Sequence, residues 1–349
     1  MAYTTIPKPS AHFNTVTYTG NGSVGRSLTT GTFQPDFSWF KNRGTTESHV
    51  LIDAIRGASF NIASNLNRAE TNVSDKVSAF TSTGVTLGSS AETNENNQPL
   101  VAWNWKGNGS GSANTDGTIN STVSANTTSG FSIVKYTGTQ ATATVGHGLG
   151  IAPKMIFFKN VDVADEWLVG ANAGLVTFTQ YAYLNLTNAF SGNGAAFFNN
   201  TNPTSSVFSL GNSSNINKSG GAIIAYCFAD VQGYSKFGSY IGNGNANGAF
   251  IYTGFKPAFV IVKASSISNE WNMWDNKRDP INVADTVLWS NTANTEAEIE
   301  DDYKIDMLSN GFKARTADAR LNQSGATYIY MAFAEEPLVS TNGNAATAR

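Results

Sequence analysis

Residues 33–41, FQPDFSWFK, decide the fold because two later stretches repeat their layout. Residues 151–159 read IAPKMIFFK, and residues 255–263 read FKPAFVIVK. In all three, an apolar residue lies two positions before a proline, and a lysine lies six positions after it. The prolines are Pro35, Pro153 and Pro257, and the lysines are Lys41, Lys159 and Lys263. Similarity at fixed spacing indicates an internal repeat.

The register of the repeat extends well beyond these stretches. A tyrosine lies seventeen residues before each proline, at Tyr18, Tyr136 and Tyr240. Fourteen residues after the proline come His49, Trp167 and Trp271. Eighteen and twenty-one residues after it, Asp53 and Arg56 correspond to Asp275 and Arg278, whereas the second copy has Ala171 and Gly174. The prolines are separated by 118 and 104 residues, which is the size of a small domain.

Each copy closes with an aromatic-rich strand: VAWNW at 101–105, IAYCF at 224–228 and IYMAF at 329–333. Short apolar runs alternate with Gly, Asn and Ser turns, and amphipathic helical patterns are scarce. This pattern predicts an all-β protein with three tandem antiparallel β-sandwich, jelly-roll-like domains. The predicted organisation is an N-terminal arm at 1–11, repeat 1 at 12–106, a linker at 107–129, repeat 2 at 130–232, repeat 3 at 233–338 and a C-terminal tail at 339–349.

The stretch 107–129 consists almost entirely of small polar residues, the composition of a flexible Gly/Ser/Asn/Thr linker. We therefore expect repeat 1 to move relative to the rest. The passage at 230–237, DVQGYSKF, is short and contains two aromatic residues. Repeats 2 and 3 are expected to pack together as one rigid piece. The arm is expected to become ordered only against a neighbour.

Composition excludes several classes of partner. Charged residues make up 13% of the chain and the formal net charge is −3, which gives no basic footprint for nucleic acid. No apolar run is long enough for a membrane span, and the N-terminus lacks a secretory signal. The single cysteine, Cys227, lies in an apolar strand and is expected to be buried. These features fit synthesis in a reducing cytoplasm.

The sequence offers no constellation for catalysis, a cofactor or a metal. His12, His49 and His147 are isolated from one another and from Cys227, which disfavours zinc. The acidic run at 296–302 has oxygen ligands for a hard cation, but an exposed loop or short helical turn is the stronger interpretation. We expect no catalytic, cofactor-binding or metal-ligating residue.

The charged residues that recur in register favour a structural interpretation. Asp53 with Arg56, and Asp275 with Arg278, are expected to pair and hold a loop, with a sugar-binding edge as the alternative. Because the second copy lacks both residues, the fold does not require the pair. The three register lysines are expected to share a structural role at a strand end.

The seven tryptophans divide into core and surface candidates. Trp39, Trp103, Trp167 and Trp271 lie on register strands and are expected in the sandwich core. Trp274 and Trp289 are the better candidates for contact with a ligand or partner. Their aromatic faces suggest stacking on sugars.

The layout, with Tyr-Thr-Gly before the proline-centred strand and closings such as CFAD at 227–230 and AFAE at 332–335, resembles an uncharacterised repeat domain of tailed-phage virion proteins, common in marine and cyanobacterial viruses. The resemblance covers nearly the whole chain and is weakest in the first copy, which ends in WNWK at 103–106. It implies a non-enzymatic virion protein, made in the host cytoplasm, that acts in assembly and host attachment. A tail fibre or other tail appendage is the leading expectation, and a capsid decoration or cement protein is the alternative.

The resemblance and the composition also imply partners. We expect other virion proteins, a homo-oligomer, and a host surface glycan as a candidate receptor. The rival class is a glycan-degrading enzyme, which needs two carboxylates flanking the scissile bond. The recurring acids are instead single and accompanied by arginine, which makes this the remote alternative.

Overall fold

A computed structural model describes residues 3–298, 303–339 and 345. The described residues form 28 strands, a 3₁₀ turn at Pro9–Ala11 and three short helices, so the protein is all-β. The helices are α1 (Ala91–Asn94), α2 (Gly194–Phe198) and α3 (Ser214–Asn217). At five residues or fewer, the described α-helices fall far short of a bilayer's thickness, and none could span a membrane.

The strands fall into three groups along the chain. The first group is β1 (Phe13–Thr19), β2 (Arg26–Thr29), β3 (Phe37–Asn42), β4 (Val50–Asp53), β5 (Gly57–Ile62), β6 (Thr71–Asn72), β7 (Val77–Thr81), β8 (Gly84–Leu87) and β9 (Pro99–Trp105). The second is β10 (Ser112–Asn114), β11 (Ser121–Asn126), β12 (Phe131–Thr137), β13 (Ala143–Gly146), β14 (Met155–Asn160), β15 (Leu168–Ala171), β16 (Gln180–Tyr183), β17 (Ser191–Gly192), β18 (Val207–Leu210) and β19 (Ala222–Phe228). The third is β20 (Ser235–Ile241), β21 (Phe250–Tyr252), β22 (Phe255–Ala264), β23 (Trp271–Asp275), β24 (Thr286–Trp289), β25 (Ala297–Glu298), β26 (Ile305–Leu308), β27 (Gly311–Ala314) and β28 (Thr327–Pro337).

Each group builds one large antiparallel sheet with the same core order. Sheet 1 is β1-β9-β3-β4-β5-β6, sheet 2 is β10-β11-β12-β19-β14-β15-β16-β17, and sheet 3 is β20-β28-β22-β23-β24-β25. In every sheet the aromatic closing strand (β9, β19 or β28) lies between the strand that carries the register tyrosine (β1, β12 or β20) and the strand that carries the apolar run after the proline (β3, β14 or β22). The register agrees as well: the residue two after the proline pairs with the last aromatic of the closing strand, as Phe37↔Trp105, Met155↔Phe228 and Phe259↔Phe333.

A smaller sheet covers the outer face of each large sheet. These outer sheets are β2-β8-β7, β13-β18 and β21-β27-β26. The outer core of sheet 1 shows the arrangement, because Leu28 and Val85 of the outer sheet pack with Phe40 and Ile52 of the large one. Corresponding outer cores lie over sheets 2 and 3. The packing is therefore that of a β-sandwich.

The inner faces of the three large sheets meet in one central core. Strand alternation sends successive side chains to opposite faces, so on β14 Phe157 enters the central core and Phe158 enters the outer one. Large aromatic residues of the central core come from all three sheets: Trp39, Trp103 and Trp105, then Phe131, Phe157 and Tyr226, then Phe259, Trp271 and Phe333. This arrangement explains why β3, β14 and β22 are largely apolar on both faces.

The predicted flexible linker at 107–129 is wrong. Its residues include β10 and β11, which extend sheet 2 because β11 pairs with β12 and β10 pairs with β11. The backbone N–H of Gly107 donates to Asp36 Oδ2 at 2.8 Å. Small polar residues lack large side chains but keep every backbone donor and acceptor, and the two large apolar residues of the stretch, Ile119 and Val123, are buried. The prediction that repeat 1 moves relative to the rest is also wrong, because sheet 1 supplies three tryptophans to the central core.

The N-terminal arm lies against the strands of sheet 3. Ile6 is fully buried in the central core, and Tyr3 Oη donates to the Gly254 carbonyl at 2.6 Å. The described part of the arm therefore docks within its own chain. Of the predicted tail at 339–349, only residues 339 and 345 are described, so that prediction lies outside the described residues.

Limited proteolysis tests the correction at 107–129. We expect this stretch to resist cleavage as long as the fold persists, because its backbone is hydrogen-bonded within sheet 2. Trypsin has only Lys106 nearby, so a protease of broad specificity is the better reagent. Rapid cleavage between 107 and 120 under native conditions would restore the linker interpretation.

Candidate functional site

Both register ion pairs are buried at the ends of corresponding strands. Asp53 ends β4, and its Oδ1 accepts the backbone N–H groups of Ile55 and Arg56 at 3.1 and 2.9 Å. Its Oδ2 accepts Arg56 Nε at 2.6 Å and Tyr226 Oη of sheet 2 at 2.8 Å. The carboxylate therefore closes a turn and binds a neighbouring sheet at once.

Asp275 repeats this arrangement at the end of β23. Its Oδ1 accepts the N–H groups of Lys277 and Arg278, each at 3.0 Å, and its Oδ2 accepts Arg278 Nε at 2.6 Å. The fourth donor is Trp103 Nε1 of sheet 1 at 3.1 Å. The expected structural pairing is present, and full burial of Asp275 and Asp53 keeps both carboxylates away from any substrate.

A second acid completes each cluster. Glu70 lies 3.2 Å from Arg56 Nη1, and Glu296 lies 3.4 Å from Arg278 Nη1. Burial alone would lower the pKa of each arginine, but the adjacent carboxylates raise it above its ordinary value, so the guanidinium stays charged. Each cluster is a compensated buried charge network.

The second copy replaces the whole network with apolar groups. Ala171 occupies the position of the aspartate, and Gly174 occupies that of the arginine. Phe190 occupies the position of Glu70 and Glu296. The neighbouring ring donor changes too, because Met331 occupies the closing-strand position of Trp103 and Tyr226 and has no N–H or O–H to donate. A change at only one of these positions would leave a buried charge or donor without its partner, which explains why the four positions differ together.

The three register lysines are buried, and their Nζ atoms bind backbone carbonyls. Lys159 donates to the Asp165 carbonyl at 2.8 Å and to the Asn67 carbonyl beyond β5 of sheet 1 at 3.1 Å. Lys263 donates to Asn269 at 2.7 Å and to Thr187 beyond β16 of sheet 2 at 2.9 Å. Lys41 donates to Asn42 and Thr45. The expected shared structural role is present, and for Lys159 and Lys263 it includes joining one sheet to the next.

Burial lowers the pKa of Lys263 to about 7 and those of Lys41 and Lys159 to about 8. In the unfolded chain the ordinary value of 10.5 returns. The unfolded state then binds more protons between these limits, so the unfolding free energy should rise with pH across this window.

We expect Lys263→Met to weaken this rise between about pH 7 and pH 9.5, by at most about 1.4 kcal/mol for each pH unit, which is the limit set by one titrating proton. Urea unfolding at several pH values measures it. Lys236→Met is the matched control, because Lys236 is 42% exposed in its ion pair with Asp230. An identical pH slope in the Lys263 variant and the parent would contradict the assignment.

A ring N–H from each sheet also binds a carbonyl of the next sheet. Trp167 Nε1 donates to Ala63 O of sheet 1 at 2.8 Å, and Trp271 Nε1 donates to Tyr183 O of sheet 2 at 2.9 Å. In sheet 1 the same position is His49, whose Nε2 lies 2.9 Å from Trp289 O of sheet 3. The three accepting carbonyls occupy corresponding positions. Ala63 directly follows β5, Tyr183 ends β16 and Trp289 ends β24. The contacts therefore close a ring from sheet 1 to 3, 3 to 2 and 2 to 1.

His49 fits this ring as a neutral donor. Trp39 Nε1 donates to His49 Nδ1 at 2.8 Å, which leaves the proton on Nε2 to face the Trp289 carbonyl. Burial lowers the pKa of His49 to about 3. Backbone hydrogen bonds also repeat around the ring. The N–H groups of Glu70, Phe190 and Glu296 donate to the carbonyls of Val161, Ser265 and Arg43, at 2.9, 2.9 and 3.0 Å respectively.

The proposed surface role of Trp274 and Trp289 is wrong. Trp274 is 0% exposed and donates Nε1 to the Tyr303 carbonyl at 3.0 Å. Trp289 is 7% exposed, with its ring 5.5 Å from that of Tyr303. Both lie on strands of sheet 3 and face its outer core, so neither offers a platform to a ligand.

The structure instead presents a cleft that the sequence patterns did not single out. It has a volume of about 380 Å³ and is lined by Tyr181 and Tyr183 of β16, by residues 188–191 and by Ser268 of the loop after β22. The two tyrosine rings meet edge to face at 5.3 Å. The alternation QYAY at 180–183 was the available signal, because it places both tyrosines on one face of a strand.

The two other histidines and the cysteine are buried or half-buried within the described residues. His12 and His147 are partly or fully buried and contact amide or carbonyl groups, and Cys227 is buried. Within the described residues, no group of three His, Cys, Asp or Glu side chains is arranged to hold a metal ion. Of the acidic run at 296–302, Glu296 is committed to Arg43 and Arg278, and 299–302 lie outside the described residues.

The fold and these contacts define an all-β protein of antiparallel sheets with β-sandwich packing. Residues 8–337 match the family model described as Domain of unknown function (DUF7483), so the chain belongs to that family. The match spans sheets 1 to 3 as one stretch. No curated protein and no solved structure gives a significant match.

Proposed function

We propose that the chain is a non-enzymatic structural protein of a phage virion, built from three tandem β-sandwich units arranged in a ring. The observation that supports this proposal is that the polar side chains that recur in register make contacts inside the protein. Two Asp–Arg networks, three lysines and three ring N–H groups all serve contacts within or between the sheets. The resemblance of the repeat to phage virion proteins supplies the biological setting.

A tail fibre or other tail appendage that acts in assembly and host attachment remains the leading role. Charged residues are few and small polar residues abundant, which suits a surface that stays soluble while making many weak contacts. Several copies on one particle would turn weak individual contacts into firm attachment through effective concentration. Other virion proteins and a host surface glycan are the proposed partners.

A capsid decoration protein is the second candidate, and the ring of contacts favours it. Three corresponding units around one core present three related outward surfaces, which matches a position of three-fold symmetry on a lattice. A homo-oligomer is a separate proposal, since the single chain already closes its own ring. Sedimentation of the purified chain at several concentrations measures that state.

Localisation on intact particles tests the proposed function. Purified virions should contain the chain, and density at the tail supports an appendage, whereas density on the head lattice supports decoration. Absence from purified particles would overturn the proposal. Depolymerisation of host surface glycan by the purified chain would favour the enzyme alternative.

A further inference from the structure

We propose that the cleft formed by Tyr181, Tyr183, Asn188, Ser191 and Ser268 is a binding site for a neutral saccharide. This inference rests on the proposed function, because it names the receptor chemistry of an attachment protein. Its geometry can nevertheless be tested on the purified chain alone.

The cleft has the shape that a sugar ring needs. Its volume of about 380 Å³ lies within the range typical of small-ligand pockets, roughly 300–1,000 Å³. Tyr181 and Tyr183 are half-buried, so each ring keeps an accessible part. Aromatic rings offer an apolar surface to the C–H groups of a sugar, and tyrosine adds a hydroxyl for its polar edge.

The rest of the lining supplies neutral hydrogen-bonding groups. Asn188, Ser191 and Ser268 are exposed and carry an amide and two hydroxyls, which can both donate and accept. Sugar hydroxyls also donate and accept, so an uncharged polar rim matches them.

The electrostatic surroundings disfavour an anionic ligand. Burial, followed by the hydrogen bond with Tyr181, raises the pKa of Tyr183 to about 12, so its hydroxyl stays neutral at physiological pH. The carboxylates of Glu166 and Asp165 both act to raise the pKa of Tyr183. A phosphate or sugar acid would meet repulsion here, whereas a neutral saccharide would not.

The platform is held rigidly before any ligand arrives. The Tyr183 carbonyl accepts Trp271 Nε1 at 2.9 Å, and the Tyr181 ring packs 4.5 Å from that of Phe197. The neighbouring Phe190 N–H donates to Ser265 O at 2.9 Å. Sheets 2 and 3 therefore fix the cleft from both sides, which reduces the ordering cost of binding.

The other two copies lack this platform. Asn61 and Ala63 occupy the positions of Tyr181 and Tyr183 in sheet 1, and Val287 and Trp289 occupy them in sheet 3. All four of these residues are buried. The cleft is thus a feature of the second copy and not a by-product of the repeated fold.

Ligand-observed NMR with the full chain tests the site. The probes are maltose and N,N′-diacetylchitobiose as neutral saccharides, with glucuronic acid as the anionic comparison. We expect saturation transfer to at least one neutral probe and a weaker response or none from glucuronic acid. Tyr181→Ala should weaken neutral binding by about tenfold or more.

Two further variants keep the test decisive if Tyr181→Ala disturbs the fold. Asn188→Trp, at an exposed position, should block the cleft with little change in thermal stability. Tyr252→Ala removes a tyrosine that is 55% exposed on the edge strand β21, and it should bind like the parent. Binding that survives both cleft variants, or no response from either neutral probe, would overturn the proposal.

The outcome is separable from that of the proposed function. A chain found on virions that binds neither neutral probe retains its structural role and loses this site. A chain that binds saccharide through the cleft but is absent from particles retains the site and loses the virion role.

Discussion

Asp275→Ala is expected to lower the free energy of unfolding by about 3–5 kcal/mol, because it leaves a buried arginine without its principal partner. Arg278 cannot reach solvent, and Glu296 at 3.4 Å replaces only part of the lost interaction. The variant also leaves Trp103 Nε1 without its acceptor. Urea unfolding followed by tryptophan fluorescence measures the loss.

The second copy supplies the matched rescue. Combining Asp275→Ala with Arg278→Gly removes both buried charges, as in the second copy, while Glu296 keeps its ion pair with Arg43, and we expect this double variant to recover part of the loss. Lys236→Ala, which breaks an exposed ion pair with Asp230, should cost about 1 kcal/mol or less. If Asp275→Ala were as mild as Lys236→Ala, the network would not have the role assigned to it.

Trp105→Ala is expected to cost about 3–5 kcal/mol and to weaken the joint packing of all three sheets. The Trp105 ring lies 6.4 Å from Phe131 of sheet 2 and 5.6 Å from Phe333 of sheet 3. Removing it opens a cavity where the sheets meet, and apolar surroundings cannot collapse freely around such a void.

Trp105→Phe is the natural companion, since it keeps an aromatic ring and removes an indole N–H for which the structure shows no hydrogen-bond partner. It should cost clearly less than the alanine variant. Calorimetry of both variants also reports cooperativity. A Trp105→Ala protein as stable as the parent would show that the central core does not hold the sheets together.

Much of the repeated framework could be predicted from the sequence. The proline spacing located β3, β14 and β22, and the aromatic closings located their central partners, because strand pairing in a buried sheet leaves regular apolar patterns. The pairing of Asp53 with Arg56 was also predictable, because a three-residue separation brings two opposite charges together across a turn.

The remainder depended on contacts that no local pattern encodes. Apolar residues on both faces of β14 showed that each face is covered, but not that the other two large sheets cover one of them. Composition misled at 107–129, where backbone hydrogen bonding outweighs the shortage of large side chains. Trp289 was misplaced because its strand carries only four residues, too few for a clear alternation.

The closed ring has a consequence for how such a protein can change. In an assembly of three identical chains, one substitution appears at all three corresponding positions and must suit every one of them. Covalent linkage removes that restriction, so the second copy can carry Ala171, Gly174 and Phe190 in place of a charge network, together with Tyr181 and Tyr183, while the other two copies carry different residues. New specificity can therefore arise at one position while the other two preserve the scaffold.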